Sequence, residues 1–191
     1  MAETSQPQRL FIAIPCSPPD GFGELQDRLH QWSHDKASKV RPVANENLHI
    51  TLVFLGMLEA IERELVKQVM DHVLHETRNF SLQIQGLGYF ANAIWLGIKP
   101  ARELQLLEKR LNEELLRIGL PGASKRYLPH VTVARIGTGG RVNLSELSNE
   151  YSEKVWGTLP VNAVNLYQSR TLPSGAEYTI SYQCKLLTMT S

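Results

Sequence analysis

The order of apolar and polar positions divides the first half of the chain into short strand-like and helix-like segments. Residues 10–14 form an apolar run that ends at Pro15, which is typical of a buried strand. Residues 20–33 carry apolar side chains three and four positions apart, which predicts an amphipathic helix. Residues 79–88 alternate with a period of two, as a half-buried strand does. The first half is predicted to run strand, helix, loop, strand, helix and strand, over residues 10–14, 20–33, 34–46, 48–55, 59–77 and 79–88.

The same order of segments begins again in the second half. A strand is predicted over residues 93–98, a helix with a leucine stripe over 101–118, and another strand over 130–136. This is a weak internal repeat of strand, helix, loop and strand. The chain then closes with a predicted hairpin, whose two strands and connecting turn are residues 160–168, residues 177–187 and Leu172-Pro173-Ser174-Gly175.

Composition and charge limit the classes of protein that this chain can represent. A length of 191 residues suits a single domain. The chain is 42% hydrophobic and 20% charged, which is typical of globular proteins and excludes a disordered one. Twenty basic and nineteen acidic residues give a net charge of +1. This balance excludes attachment to nucleic acid or membrane by a global basic field, but it allows a small basic site facing a few phosphates.

The cysteines and the N-terminus bear on the cellular compartment. Cys16 and Cys184 are too few for a disulfide framework, and neither belongs to a Cys-x-x-Cys or Cys/His metal motif. Both lie in apolar segments, so we expect reduced thiols in the core. Residues 1–9 lack the apolar stretch of a secretory signal, and no apolar run approaches the roughly 18 residues of a membrane span. We therefore expect a soluble, cytoplasmic protein with no membrane partner.

The candidate chemistry lies in a motif that occurs once in each half of the repeat. His49-Ile50-Thr51 and His130-Val131-Thr132 both stand in predicted strands. Side chains at positions i and i+2 of a strand point to the same face, so each histidine shares a face with its threonine. Strict alternation places Phe54 on the opposite face, with the apolar positions of the first strand.

Two such motifs facing each other would suit phosphoryl transfer without a metal. Imidazole titrates near pH 6.5, so a neutral and a protonated ring can coexist and serve as base and acid. The two hydroxyls can hold the non-bridging phosphate oxygens. Two alternatives stay open on the residues alone. Both histidines could be ordinary half-buried strand residues, or they could bind a metal, although a third ligand at suitable spacing is lacking.

With both motifs in place, the chain resembles the two-histidine (2H) phosphoesterase superfamily, and more narrowly the RNA 2′,3′-cyclic phosphodiesterases formerly called 2′-5′ RNA ligases. The resemblance extends over nearly the whole chain. The matching segments are Arg9-Leu10-Phe11-Ile12-Ala13-Ile14, Asn47-Leu48-His49-Ile50-Thr51-Leu52, Phe54-Leu55-Gly56, Ile94-Trp95-Leu96-Gly97 and Tyr127-Leu128-Pro129-His130-Val131-Thr132-Val133-Ala134-Arg135.

The resemblance implies an α+β fold in which residues 1–191 form one domain of two pseudo-symmetric lobes. Each lobe has an antiparallel sheet and outer helices, and the two motifs face each other across a central cleft. The implied activity is hydrolysis of RNA 2′,3′-cyclic phosphate ends, or of cyclic nucleotides, to 2′-phosphomonoesters. No cofactor or metal is implied, and we expect a monomer. By the same resemblance, His49 donates the proton to the leaving oxygen and His130 accepts one from water.

The resemblance also implies substrate-binding residues. Thr51 and Thr132 would bind the phosphate, and Arg135 would contact it. Tyr127 would either stack on a base or pack in the core or the cleft wall. Strict alternation, however, places Arg135 on the face opposite His130, so its side chain reaches the cleft only if the strand bends or ends early. Alternative activities are 2′-5′ joining of tRNA halves, hydrolysis of another cyclic phosphate, and binding of RNA ends or nucleotides without turnover.

Overall fold

The computed structural model describes residues 6–90, 92–122, 127–172 and 175–188. Within these residues the chain forms nine strands and four α-helices. The strands are β1 (Gln8–Pro15), β2 (Val40–Pro42), β3 (His49–Leu58), β4 (Phe80–Phe90), β5 (Ala93–Ile98), β6 (His130–Ile136), β7 (Val155–Val161), β8 (Ala163–Leu172) and β9 (Gly175–Lys185). The helices are α1 (Gly23–His34), α2 (Ala60–Leu74), α3 (Arg102–Arg117) and α4 (Leu144–Glu150).

The nine strands form one antiparallel sheet, in which eight strands make two halves of four and β2 pairs at the side. Its order is β7-β4-β5-β6-β3-β1-β8-β9, with β2 paired to β6 beside this path. The halves meet where β3 pairs with β6 in the register Ile50 with Val131. The expected α+β fold with two antiparallel halves is confirmed, and its halves are joined through the two strands that carry the His-x-Thr motifs.

The helices cover one face of the sheet and bury the main hydrophobic core. The leucine stripe of α3 is fully buried, as are Val66 and Met70 of α2 and Leu25 of α1. A second, small cluster of buried side chains consists of Phe11, Ala13 and Tyr167 and is separate from the main core. None of the four described helices is long and apolar enough to cross a membrane.

Four segments differ from the sequence-based prediction. Residues 40–42 of the predicted loop 34–46 form β2, because they pair with the distant strand β6. The strand expected to end at Gly56 continues to Leu58, because Gly56 adopts φ 74° beside a bulge in the β1–β3 pairing. Helix α4 is missed because its sequence is polar and buries only Leu147. The predicted hairpin is observed as β8 and β9, but residues 160–161 belong to β7. Pro173 and Ser174 of its predicted turn lie outside the described residues.

Candidate active site

The pairing of β3 with β6 brings the two His-x-Thr motifs side by side. Because Ile50 is the antiparallel partner of Val131, His49 lies beside Thr132 and Thr51 lies beside His130. Ile50 and Val131 are completely buried in the core, whereas the histidines and threonines are half-buried. The four polar side chains therefore share the sheet face that the helices leave open, as the alternation predicts.

A β-bulge in β3 changes which residue follows this motif on the open face. In the pairing with β1 the register shifts between Ile12 and Ala13, so that Leu52 is the extra residue. Leu52 and Val53 are both buried as a result, and Phe54 is 66% exposed. The alternation had placed Phe54 in the core, and that prediction is wrong, because the bulge reverses the alternation after Thr51.

A bulge in β6 has the same effect on Arg135. In the pairing with β5, Ile94 opposes Ala134 but Trp95 opposes Thr132, so that Val133 is extra. Val133 and Ala134 are both buried, and the side chain of Arg135 emerges on the open face. Arg135 thus lies on the same face as His130 without an early end to the strand. Phe54 and Arg135 occupy corresponding positions in the two motifs, five residues after each histidine.

The two motifs line a cleft of about 390 Å³. A neighbouring cavity of about 360 Å³ shares His49, Thr132 and Arg135 with it. Arg9 lines the first cavity and Arg41 the second. Arg41 and Arg135 are also partners in the β2–β6 register. No carboxylate is among the described residues that line either cavity, so the cleft presents a local positive field on a nearly neutral chain.

Both histidines are oriented by the carbonyl group two residues earlier. The Nδ1 atom of His49 lies 2.7 Å from the carbonyl oxygen of Asn47. The Nδ1 atom of His130 lies 2.8 Å from that of Leu128. A carbonyl can only accept, so Nδ1 carries a proton in both rings and donates it. Each Nε2 atom is therefore the one available for exchanging a proton with a bound molecule.

Aromatic rings hold the two imidazoles in place. Phe11 packs 4.9 Å from the His49 ring centroid, and Tyr178 meets it edge-on at 5.2 Å. Phe90 and Trp95 pack at 5.4 and 5.8 Å from the His130 ring. The ring of Trp95 fits there because its strand partner is Gly88, where an added Cβ would lie 2.2 Å from the ring atoms. These contacts restrict the rotation of both catalytic candidates.

The environment lowers the pKa of both histidines from the usual value of 6.5. For His49 the causes are burial first, then the charges of Arg135 and His130. For His130 they are burial and then Arg135. The carbonyl hydrogen bonds oppose this shift in both rings. Since desolvation and positive charge disfavour the imidazolium, a bound anion would favour it and raise the pKa again.

The structure does not bring Tyr127 to the other expected site residues. Its ring packs against the main hydrophobic core, and it is not among the residues that line the cleft. The hydroxyl is buried without a hydrogen-bond partner among the described residues. Burial, with a smaller effect of Glu108, raises the pKa of this hydroxyl. The stacking role expected for Tyr127 finds no support in this placement.

Sequence reasoning missed several residues that line the cleft. Arg9 lies on β1, and Ser169, Thr171 and Tyr178 lie on the β8–β9 hairpin. Arg9 begins a segment that carries the family resemblance, but nothing there marks it as a site residue, and the other three belong to no motif. Only the strand order brings the four residues to the histidines. Arg41 precedes the first motif in the chain and lines the second cavity. Lys125 and Arg126, which precede the second motif, lie outside the described residues.

Comparison with known sequences identifies relatives of this chain. The sequence profile of the 2′-5′ RNA ligase superfamily matches residues 16–169. The chain is 29% identical over 177 residues to an RNA 2′,3′-cyclic phosphodiesterase of Methanothermobacter thermautotrophicus, covering 90% of this chain and 95% of that protein. It is 30% identical over 176 residues to the protein of the same name from Archaeoglobus fulgidus, with 89% and 96% covered.

Solved structures of similar fold also superpose on this chain. Escherichia coli LigT complexed with 3′-AMP superposes with a TM-score of 0.72 at 25% identity, covering 95% of this chain and 99% of that one. A protein of Thermus thermophilus superposes with a TM-score of 0.73 at 22% identity, covering 95% and 100%. The second likeness concerns the fold alone.

Proposed function

The chain belongs to the 2′-5′ RNA ligase superfamily, and we propose that it is an RNA 2′,3′-cyclic phosphodiesterase that uses two histidines and no metal. One observation carries the proposal. Two imidazoles with fixed Nδ1 hydrogen bonds share one open face with two threonine hydroxyls, in a cleft lined by arginines. The relatives from M. thermautotrophicus and A. fulgidus bear the name of this activity.

In the proposed reaction one histidine takes a proton from the attacking water, and the other gives a proton to the leaving oxygen on the opposite side of the phosphorus. The Nε2 atom of His130 accepts a proton from water, whose oxygen forms a bond to phosphorus. The P–O3′ bond breaks, and the Nε2 atom of His49 donates a proton to O3′. The product carries a 2′-phosphomonoester and a free 3′-hydroxyl. The assignment of His49 as acid and His130 as base follows the family resemblance.

The remaining cleft residues bind the substrate in this proposal. The hydroxyls of Thr51 and Thr132 donate hydrogen bonds to the non-bridging oxygens, where negative charge increases as water attacks. Arg135 adds a charge-assisted contact. Phe54 offers an exposed ring beside Thr51 on which a base can stack. The solved complex of E. coli LigT with 3′-AMP supports the binding of a nucleoside phosphate by this chain.

The first test is turnover of a 2′,3′-cyclic mononucleotide with and without a chelator. We expect a 2′-phosphate product at the same rate in both, because proton transfer between imidazoles, water and O3′ needs no Lewis acid. Loss of activity in the chelator, restored by added metal, would contradict the mechanism. Binding without any turnover would instead identify a nucleotide-binding protein.

The lowered histidine pKa values predict the pH dependence. The pH profile of kcat/KM reports the free enzyme, so we expect a bell centred below pH 6.5, with two macroscopic pKa values for the pair. The profile of kcat reports the complex, and its bell should lie at higher pH, because the anionic phosphate favours imidazolium. Coincident profiles, or a rate that rises steadily from acid to alkaline pH, would contradict this assignment.

Substitution of Arg135 tests the cause of the lowered histidine pKa values in the same pH profile. Its charge lowers the pKa of both histidines, so Arg135→Gln should move the kcat/KM bell to higher pH. Arg9 lines the same cleft but does not contribute to either shift, so Arg9→Gln serves as the control. Equal displacement of the bell in both variants would mean that general cleft charge, and not Arg135, sets the two pKa values.

A second candidate activity is 2′-5′ joining of RNA ends. The observation that favours it is the second cavity, which adjoins the same His49, Thr132 and Arg135 and carries Arg41. A 5′-hydroxyl terminus held there would attack the cyclic phosphate in place of water. Analysis of the products formed from tRNA halves, one with a cyclic phosphate and one with a 5′-hydroxyl, separates joining from hydrolysis.

The proposal includes one bilobal domain over residues 1–191, a monomeric state and a cytoplasmic location. The described lining of the cleft comes from both halves of the sheet within one chain, which supports a single bilobal domain and a monomeric state. Cys16 and Cys184 are both free and buried, as in proteins of reducing compartments. The state of association is measured by size-exclusion chromatography with light scattering.

A further inference from the structure

Three side chains with metal-binding donor atoms meet away from the cleft, between α2 and β9. Asp71 lies in the last turn of α2, and His75 caps that helix four residues later. Cys184 lies near the end of β9 and is buried. One donor atom from each of the three side chains lies within 4.8 Å of the other two. A carboxylate, an imidazole and a thiol thus converge at one place.

We propose that Asp71, His75 and Cys184 bind a zinc ion. Oxygen, nitrogen and sulfur are all donors that zinc accepts in tetrahedral sites, and three protein ligands leave the fourth position for water. Donor atoms that share one zinc ion lie about 3.5 Å apart. His75 is exposed, so a change of its side-chain rotamer can bring the imidazole closer to the other two. The Cys184 thiol releases its proton to solvent as the sulfur–zinc bond forms.

A hydrogen bond already orients the carboxylate of this site. The hydroxyl of Tyr182 donates to Oδ1 of Asp71 at 2.6 Å, which fixes the orientation of the carboxylate. Tyr182 and Cys184 are two residues apart on β9 and therefore face α2 together. Hydrogen-bonded carboxylates of this kind are usual around metal ions, because the outer partner holds the ligand in its binding orientation.

The zinc site is separate from the catalytic cleft but lies on the same hairpin. In the β8–β9 pairing the register shifts so that Ser181 is an extra residue. Tyr178 therefore faces the cleft, whereas Cys184 faces α2. β9 pairs only with β8 among the described strands. A metal at this position would tie the edge strand β9 to α2.

Titration of the chelator-treated full chain with Co²⁺ tests the site independently of catalysis. Cobalt(II) substitutes for zinc, and its bond to a thiolate gives a charge-transfer band in the near ultraviolet. The cleft cannot produce this band, since no cysteine is among its described lining residues. We expect the band to saturate at one equivalent of Co²⁺ and to disappear when Zn²⁺ is added.

Four variants decide whether the three residues are the ligands. His75→Ala, at an exposed position, should weaken Co²⁺ binding by at least about tenfold, and Cys184→Ser should abolish the band. His72→Ala, at an exposed position on the same helix, and Cys16→Ser, at the other buried thiol, should leave the titration unchanged. The proposal is overturned if the parent protein gives no band, if His75→Ala binds with unchanged affinity, or if the band depends on Cys16.

Discussion

The variants His49→Ala and His130→Ala are each expected to lower kcat for a 2′,3′-cyclic nucleotide by about 10²–10⁴-fold or more, the usual contribution of a general acid or base. Each substitution removes the Nε2 atom that exchanges a proton with water or with O3′. Stopped assays of the 2′-phosphate product, at the optimum pH of the parent, measure both effects. The double variant should lose little beyond the single ones, because neither proton transfer is productive without the other.

Folding controls accompany these two variants. Both rings are half-buried and both have a lowered pKa, so their removal takes away partly desolvated polar groups, and we expect only a small change in Tm. His72→Ala, at an exposed helix position, is the matched control and should retain full kcat. Near-full activity in either cleft variant would remove that histidine from the mechanism.

Asparagine at the same positions separates orientation from proton transfer. In His49→Asn and His130→Asn the amide nitrogen can still donate to the carbonyl that Nδ1 reaches, but no atom replaces Nε2. We therefore expect kcat as low as in the alanine variants. A substantial recovery of kcat would mean that the rings only support the local backbone.

Most helices and strands of this fold could be predicted because their periodic pattern of apolar residues lies within a short stretch of sequence. The leucine stripe of α3 and the strand around each His-x-Thr motif could be recognised without knowing where the chain goes next. Helix α4 and strand β7 were missed for the same reason, since α4 buries only Leu147 and the apolar positions of β7 are interrupted by exposed ones. Their stability comes from packing against distant segments, which a short window does not contain.

The site could be predicted as far as alternation along a strand holds. His49, Thr51, His130 and Thr132 precede the bulges, so their shared face followed from a period of two. Phe54 and Arg135 follow the bulges, and strict alternation placed both on the wrong face. A bulge depends on the pairing with a neighbouring strand, here β1 for β3 and β5 for β6, and so it is not visible in the motif itself.

In the cleft and in the proposed zinc site, the residues that could not be predicted come from distant segments of the chain. Arg9 and Tyr178 reach the cleft only because β1 and β9 belong to the same half-sheet as β3. Cys184 meets Asp71 because β9 lies beside α2, although the two residues are far apart in the chain. A spacing rule for metal ligands finds neighbours in sequence, and this cluster is assembled by topology.

The variants Thr51→Val and Thr132→Val are expected to lower kcat by about 10²–10³-fold each, the usual effect of removing one hydrogen-bond donor from developing negative charge. Valine keeps the branched shape and the strand preference of threonine, so the change is confined to the hydroxyl. The antiparallel register places Thr51 beside His130 and Thr132 beside His49, and the two hydroxyls thus approach the phosphate from both motifs. Steady-state kinetics on the cyclic nucleotide should show the loss mainly in kcat, since the contact strengthens as charge builds up in the transition state.

The way in which the loss divides between kcat and KM distinguishes stabilisation of the transition state from a structural role of the threonines. Thr158→Val, at an exposed position on β7 away from the cleft, is the matched control and should leave both parameters unchanged. If the cleft variants instead raise KM with kcat unchanged, the hydroxyls bind the ground-state phosphate and the transition state equally, and they do not accelerate the chemical step. If their pH profiles also move, the threonines would influence the neighbouring imidazoles, because each lies next to the histidine of the other motif. An unchanged bell with a lowered maximum is the result that places the two hydroxyls on the phosphate oxygens.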